Sequence, residues 1–190
     1  MKNKEYNKNS LYGEWVDVEL RPGKLWVIVS PLTFVRPTGQ IVKIRPYLIT
    51  DYATIPKIFR RWFPHRCEFY DIAAAFHDDC LTERWHDPNH DLTFGACHRL
   101  FNEVMAYLEN PKWRRRIMYR AVQFADVFIR LMKPLSLRDR HYIYSFRDLT
   151  VEEIDKFNKI VQAYPISLNT SYEHITDETL KRKTIKFEDI

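Results

Sequence analysis

The chain of 190 residues is 45% hydrophobic, which is enough for one domain with a packed core. Only 4 residues are glycine, which argues against a glycine-rich phosphate-binding loop. The formal net charge of +5 permits contact with nucleic acid or an anionic surface without requiring it. The sequence contains no run of about 18 apolar residues, so no membrane span is expected. Its first ten residues are polar, so no signal peptide is expected either.

The first part of the chain predicts a small antiparallel sheet. Residues 1–11 are polar and are expected to be disordered. Strand-like segments follow at 12–20 and 24–30, rich in β-branched and aromatic residues. The segments 32–36 and 40–49 flank Pro37-Thr38-Gly39, which predicts a hairpin turn. The polar loop after them contains Asp51, a carboxylate that we expect to be buried.

Helical spacing dominates from residue 68 onward. It predicts helices over 68–81, 91–109 and 111–133, with a loop at 82–90. Thr150 and Glu153 form a capping-box pattern that opens a last helix to about residue 163. The predicted fold class is α+β, a small N-terminal antiparallel sheet packed on a C-terminal group of about four helices. We expect one domain over 12–164 and an extended or partly ordered tail over 165–190.

The three cysteines are Cys67, Cys80 and Cys97. An odd number without a short disulfide framework predicts reduced thiols, as in a cytosolic protein. No CxxC pair exists, so a zinc ribbon is not expected, and Cys80 and Cys97 are predicted to pack between two helices.

Histidine and carboxylate side chains in three segments predict one polar cluster. His77 and Asp78 are adjacent on the first helix, His98 lies on the second, and Asp51 precedes both. Imidazole and carboxylate together suit Zn²⁺ or Mn²⁺ better than Ca²⁺, so these four residues are candidate metal ligands. Three further polar residues are predicted to support them: Thr50, Asp79 and Asn102.

A structural interpretation of the same residues stays open. Histidine–carboxylate pairs often lock loops through hydrogen bonds, and Asp51 is well placed to cap the turn that follows it. The histidines of the loop, His86 and His90, are expected to be exposed rather than ligands.

A basic run opens the third helix. Arg114, Arg115 and Arg116 follow Lys112 and Trp113 at a helix start, where cations oppose the helix dipole. This arrangement is the best candidate in the sequence for contact with nucleic acid or a protein partner, although a solvated surface is the simpler interpretation.

Four motifs occur in order along residues 24–130: a loop at 50–56 (TDYATIP), Ala74-Ala75-Phe76-His77-Asp78, a helical segment at 97–101 (CHRLF), and Met118-Tyr119-Arg120-Ala121-Val122. They resemble a phage- and prophage-associated family catalogued as domain of unknown function 1353. Three positions depart from the family pattern. Thr54 replaces a serine, His98 replaces an aspartate, and Tyr47 replaces a glycine. The resemblance implies a phage setting but no particular reaction.

The sequence is compatible with two functions. The first is a metal-dependent hydrolase of a phosphoester or a cell-wall amide, in which the ion activates water. The alternative is a non-enzymatic virion component or host-directed binding protein, in which the cluster is structural. The expected partners are phage virion proteins or a host protein, with nucleic acid a weaker possibility. The expected location is the host cytoplasm or the virion.

Overall fold

The computed structural model describes residues 11–52, 68–86, 92–132, 149–165 and 183–189. The chain divides into two compact units. One unit combines Met1–Tyr52 with Tyr144–Ile190, and the other comprises Ala53–Ile143. The strands at the start of the chain and the helices that follow confirm the α+β class. Residues 1–10 and 166–182, which include most of the two predicted terminal segments, lie outside the described residues.

The first unit contains two small sheets. One has the order β1-β4-β5 and is antiparallel throughout, with β1 at Leu11–Tyr12, β4 at Thr33–Val35 and β5 at Ile41–Lys43. The other has the order β6-β3-β2-β7, with β2 at Val16–Arg21, β3 at Leu25–Ile28, β6 at Leu48–Thr50 and β7 at Lys183–Ile185. In that sheet β7 runs parallel to β2, and the other pairs are antiparallel.

The predicted hairpin between β4 and β5 is confirmed. The amide of Gly39 donates to the carbonyl of Arg36 at 2.8 Å, and the amide of Arg36 donates to the carbonyl of Gln40 at 2.9 Å. Gly39 has a φ of 85°, a left-handed conformation that glycine adopts without steric cost. The turn chemistry of the sequence therefore fixes this connection.

The helix α4, Val151–Ala163, packs on the second sheet. Alternate residues of β2 and β3 face it and bury their apolar side chains together with Phe157 and Ile160. The predicted capping box is confirmed: the Thr150 hydroxyl accepts from the Glu153 amide at 3.2 Å, and the Thr150 amide donates to the Glu153 carboxylate at 2.9 Å. A short 3-10 turn at Phe187–Asp189 follows β7, and Lys156 Nζ lies 5.6 Å from the centre of the Phe187 ring.

The second unit contains three helices: α1 at Glu68–His86, α2 at Phe94–Tyr107 and α3 at Lys112–Met132. The helix α2 packs against both α1 and α3. The predicted helices are confirmed, but the loop predicted from residue 82 is wrong at its start because α1 continues to His86. The Thr82 hydroxyl donates to the carbonyl of Asp78, 3.0 Å away and one turn earlier. This hydrogen bond lets a threonine remain in the helix.

A disulfide between Cys80 and Cys97 joins α1 to α2, with Cα atoms 5.8 Å apart. The predicted placement of both cysteines between the two helices is confirmed. The prediction that these two thiols are reduced is wrong, because packing the helices face to face brings them within bonding distance. Cys67 lies outside the described residues.

Among the helices that the structure describes, none is both long and apolar enough to cross a bilayer.

Candidate functional site on helices α1 and α2

Two histidines from neighbouring helices meet inside the second unit. Nε2 of His77 on α1 lies 2.9 Å from Nδ1 of His98 on α2. Both residues are buried, and the His77 ring also packs on Phe101 with ring centres 5.3 Å apart. The sequence predicted both histidines in one polar cluster, and the packing of α1 on α2 brings their ring nitrogens together.

The contact between the rings requires one nitrogen to donate and the other to accept. Asp78 bears on which does so through its charge, because its Oδ1 lies 3.6 Å from Nδ1 of His77, the ring nitrogen that does not contact His98. A carboxylate at this position favours the proton on Nδ1 of His77. Nε2 of His77 is then the acceptor, and Nδ1 of His98 donates to it. The three side chains form a line from carboxylate to imidazole to imidazole.

The structure places the predicted ligands in two groups. His77, Asp78 and His98 come together in the second unit, whereas Asp51 is a half-buried residue of the first unit. That Asp51 joins the other three therefore stays a prediction.

The predicted supporting residues have different surroundings. Asp79 is buried, and Asn102 is half-buried on α2. Thr50 is buried in the first unit, where its hydroxyl accepts from the amide of Tyr52 at 2.8 Å. Their supporting roles stay predictions.

Two imidazole nitrogens from neighbouring helices are groups of the kind that a zinc ion binds. With zinc–nitrogen bonds of about 2.0–2.1 Å and a tetrahedral angle, two ligand nitrogens lie roughly 3.3 Å apart, so the observed 2.9 Å would have to widen by a few tenths of an ångström. Asp78 lies beside the other nitrogen of His77, where a carboxylate can orient that ring, and its role as a metal ligand stays a prediction. Within the described segments of the chain, no group of three or more His, Cys, Asp or Glu has the arrangement of a metal site.

The loop that carries Asp51 is anchored by a buried hydrogen-bond chain. Tyr52 has a φ of 57°, and its hydroxyl donates to Oδ2 of Asp17 in β2. The same hydroxyl accepts from Nε1 of Trp15 at 3.3 Å, and the ring of Tyr52 lies 5.5 Å from that of Trp26. Asp17 is fully buried. These hydrogen bonds therefore hold Tyr52, the residue next to Asp51, in a left-handed conformation.

Sequence reasoning missed Asp17 because Val16-Asp17-Val18 reads as a strand with an acid on its solvent side. The two tryptophans beside it, Trp15 and Trp26, were the available signal, since they indicate that both faces of the sheet are covered.

Tyr47, which replaces the glycine of the family pattern, keeps a left-handed backbone with a φ of 62°. Its hydroxyl donates to the carbonyl of Tyr164 at 2.5 Å, and its ring packs edge-on against Phe157. These contacts with α4 and the residue after it offset the cost of a side chain at positive φ.

The three arginines of the basic run on α3 have different surroundings. Nε of Arg115 donates to the carbonyl of Asn110 at 3.1 Å, and the guanidinium of Arg114 lies 5.5 Å from the centre of the Trp113 ring. Arg116 is exposed. The proposed contact with nucleic acid or a partner stays a prediction for all three arginines.

Residues 26–122 match the sequence model of a family described as "Protein of unknown function (DUF1353)". The match covers about half of the chain and contains the four predicted ligands, while α4 and β7 lie beyond it. It confirms the resemblance carried by the four motifs. No curated protein and no solved structure matches the chain.

Proposed function

Because the chain belongs to the DUF1353 family of proteins of unknown function, we propose its function from the geometry of its helical unit: it is a hydrolase that binds Zn²⁺ or Mn²⁺ through His77 and His98. The observation that carries this proposal is the 2.9 Å approach of two imidazole nitrogens from separate helices. When bound, such an ion lowers the pKa of a coordinated water towards about 7 and provides a nucleophile.

In this proposal the protein's own residues have separate tasks. Nε2 of His77 and Nδ1 of His98 would hold the ion, and the proton of His98 would then be on its Nε2, so that Nδ1 offers a lone pair. Asp78 holds the proton on the far nitrogen of His77 and fixes the ring angle, as carboxylates behind metal-binding histidines do. Burial of both rings keeps their rotamers fixed before the ion arrives.

Water activated by a metal ion attacks phosphoryl and carbonyl groups, so we propose a phosphoester or a cell-wall amide as the substrate. The phage setting implied by the family resemblance supports this choice, because phages process both nucleic acid and host cell wall. On the same basis we propose that the protein acts in the host cytoplasm or the virion, with virion or host proteins as partners.

Metal analysis of the purified full chain tests the proposal. We expect about one Zn²⁺ or Mn²⁺ per chain and a melting temperature that rises on addition of the ion. His77→Gln and His98→Gln should each lose the metal and the rise in melting temperature. His174→Gln is the matched control, since it removes a histidine from the other unit.

Hydrolysis of a chromogenic phosphodiester and of purified peptidoglycan then assigns the substrate class. Metal binding without either activity would overturn hydrolysis for these two classes. Failure of the wild-type protein to bind either ion would overturn the metal site itself.

A non-enzymatic function has one observation in its favour. The contact between His77 and His98 is already a buried hydrogen bond, which links α1 to α2 without any ion. If metal binding fails, the pair is a structural cross-link, and the protein is better described as a virion component or a host-directed binding protein.

A further inference from the structure

The helix α3 exposes large apolar side chains along one line. Trp113, Ile117 and Phe124 are 50%, 49% and 71% exposed. With about 100° of rotation per residue, they lie within about 40° of one another around the helix, and the exposed Ala121 lies within about 80° of all three. We name these four residues the α3 strip. At about 1.5 Å per residue it is roughly 16 Å long.

Cations border the α3 strip on both sides. Lys112, Arg116 and Arg120 are exposed and recur at every fourth residue, which places them in a row along one edge. Arg114 lies on the other edge, with its guanidinium over the Trp113 ring. No aspartate or glutamate occurs from residue 110 to residue 125.

We propose that the α3 strip and its bordering cations form a peripheral binding site for an anionic phospholipid surface. A helix with exposed Trp, Ile and Phe beside a row of Lys and Arg has the composition of helices that lie in the headgroup region of a bilayer. The apolar side chains enter the acyl boundary, and the cations contact lipid phosphates from both sides. This property is independent of the proposed hydrolase and requires no helix to cross the bilayer.

The arrangement favours lipid over the other anionic partners. Nucleic-acid bases stack on aromatic rings, and in the α3 strip Ile117 and Ala121 lie between the two rings, where they offer no stacking surface. An acidic protein helix would need a groove to receive it. The α3 strip is instead a convex line on a helix that packs on α2, and Met118, about 100° around the helix from Ile117, is buried.

Co-sedimentation of the full chain with vesicles tests this proposal. We expect binding to phosphatidylcholine vesicles that contain phosphatidylglycerol, weak binding to phosphatidylcholine alone, and a decrease in binding with added salt. Ile117→Glu should lower the partition coefficient at least about tenfold, and so should the double variant Arg116→Glu/Arg120→Glu. Both changes are on exposed positions, so the variants should keep the wild-type melting temperature.

Matched controls come from the other unit. Ile41 is 61% exposed in β5, and Ile41→Glu should leave vesicle binding unchanged. Lys24→Glu/Lys159→Glu reverses two exposed cations in the same way. The proposal is overturned if these controls lose as much binding as the α3 variants. It is also overturned if wild-type protein ignores anionic vesicles while binding a single-stranded oligonucleotide or an acidic peptide through the same residues.

Discussion

Arg21 of β2 and Glu153 of α4 form a two-point ion pair, with Nε 2.5 Å from Oε1 and Nη2 2.8 Å from Oε2. The pairing of β2 with β3 shifts register between Glu19 and Arg21, and a bulge of this kind re-aims the side chains that follow it. The hydrogen bond from Arg21, helped by the amide of Thr150, lowers the pKa of Glu153 from 4.5 to about 2. One carboxylate thus closes the capping box of α4 and fastens that helix to the sheet.

Glu153→Gln should therefore destabilise the protein at neutral pH but not in acid. The pKa of Glu153 is lower in the folded chain than in the unfolded chain, so its contribution is complete above about 4.5 and is lost as pH falls towards about 2. We expect about 1 kcal/mol at neutral pH, since solvent screens the partly exposed Arg21. Urea unfolding at several pH values measures the difference. The exposed Asp155→Asn is the control, and a pH-independent gap would contradict the assignment.

Neutral His77 should carry its proton on one particular ring nitrogen. Asp78 lies beside Nδ1, so the proton should be on Nδ1 of His77, and Nδ1 of His98 should be the donor to Nε2. Long-range proton–nitrogen NMR spectra of the metal-free protein distinguish the two tautomers. Asp78→Asn should increase the population with the proton on Nε2 of His77. A wild-type spectrum dominated by that second tautomer would show that Asp78 does not orient the ring.

Reduction of the Cys80–Cys97 disulfide should lower the stability of the helical unit. The bond closes a loop of 17 residues, for which chain entropy gives about 3 kcal/mol. A dithiol reductant should lower the melting temperature of the wild type and have no effect on Cys80→Ala/Cys97→Ala. Cys67→Ser is the control and should respond to reductant as the wild type does. An unchanged wild-type melting temperature, with reduction verified by mass spectrometry, would exclude this contribution.

Tyr52→Phe should cost about 1–3 kcal/mol of stability, because it removes one donor from the buried carboxylate of Asp17. A double-mutant cycle with Asp17→Asn measures the coupling, since the tyrosine change should cost less when the charge is already absent. Equal costs in both backgrounds would show that the two side chains act independently. The stability difference is read from urea unfolding at neutral pH.

Local chemistry made much of the fold predictable. Proline and glycine marked the hairpin at 37–39, and Thr150 with Glu153 marked the start of α4, since both signals act within a few residues. Contacts between segments that are distant in sequence could not be predicted from such local signals. The Cys80–Cys97 bond has no spacing signature, and the strand pairing of residues 183–185 with β2 depends on segments far apart in sequence.

The candidate site shows the same division. The sequence predicted His77 and His98 in one polar cluster, but only the packing of α1 on α2 shows that their nitrogens touch. Tyr47 has a left-handed backbone, a conformation that glycine adopts without steric cost. That conformation is tolerated in Tyr47 because Tyr164 and Phe157, which lie beyond the family match, hold its side chain.

The pairing of β7 with β2 also orders events during synthesis. The helical unit is one continuous stretch, so all of its residues leave the ribosome before those that complete the sheet. Until residues 183–185 are made, the edge of β2 that β7 covers carries backbone groups without that strand. The nascent chain therefore passes through a stage in which one unit has all its residues while the other still lacks the strand that pairs with this edge of β2.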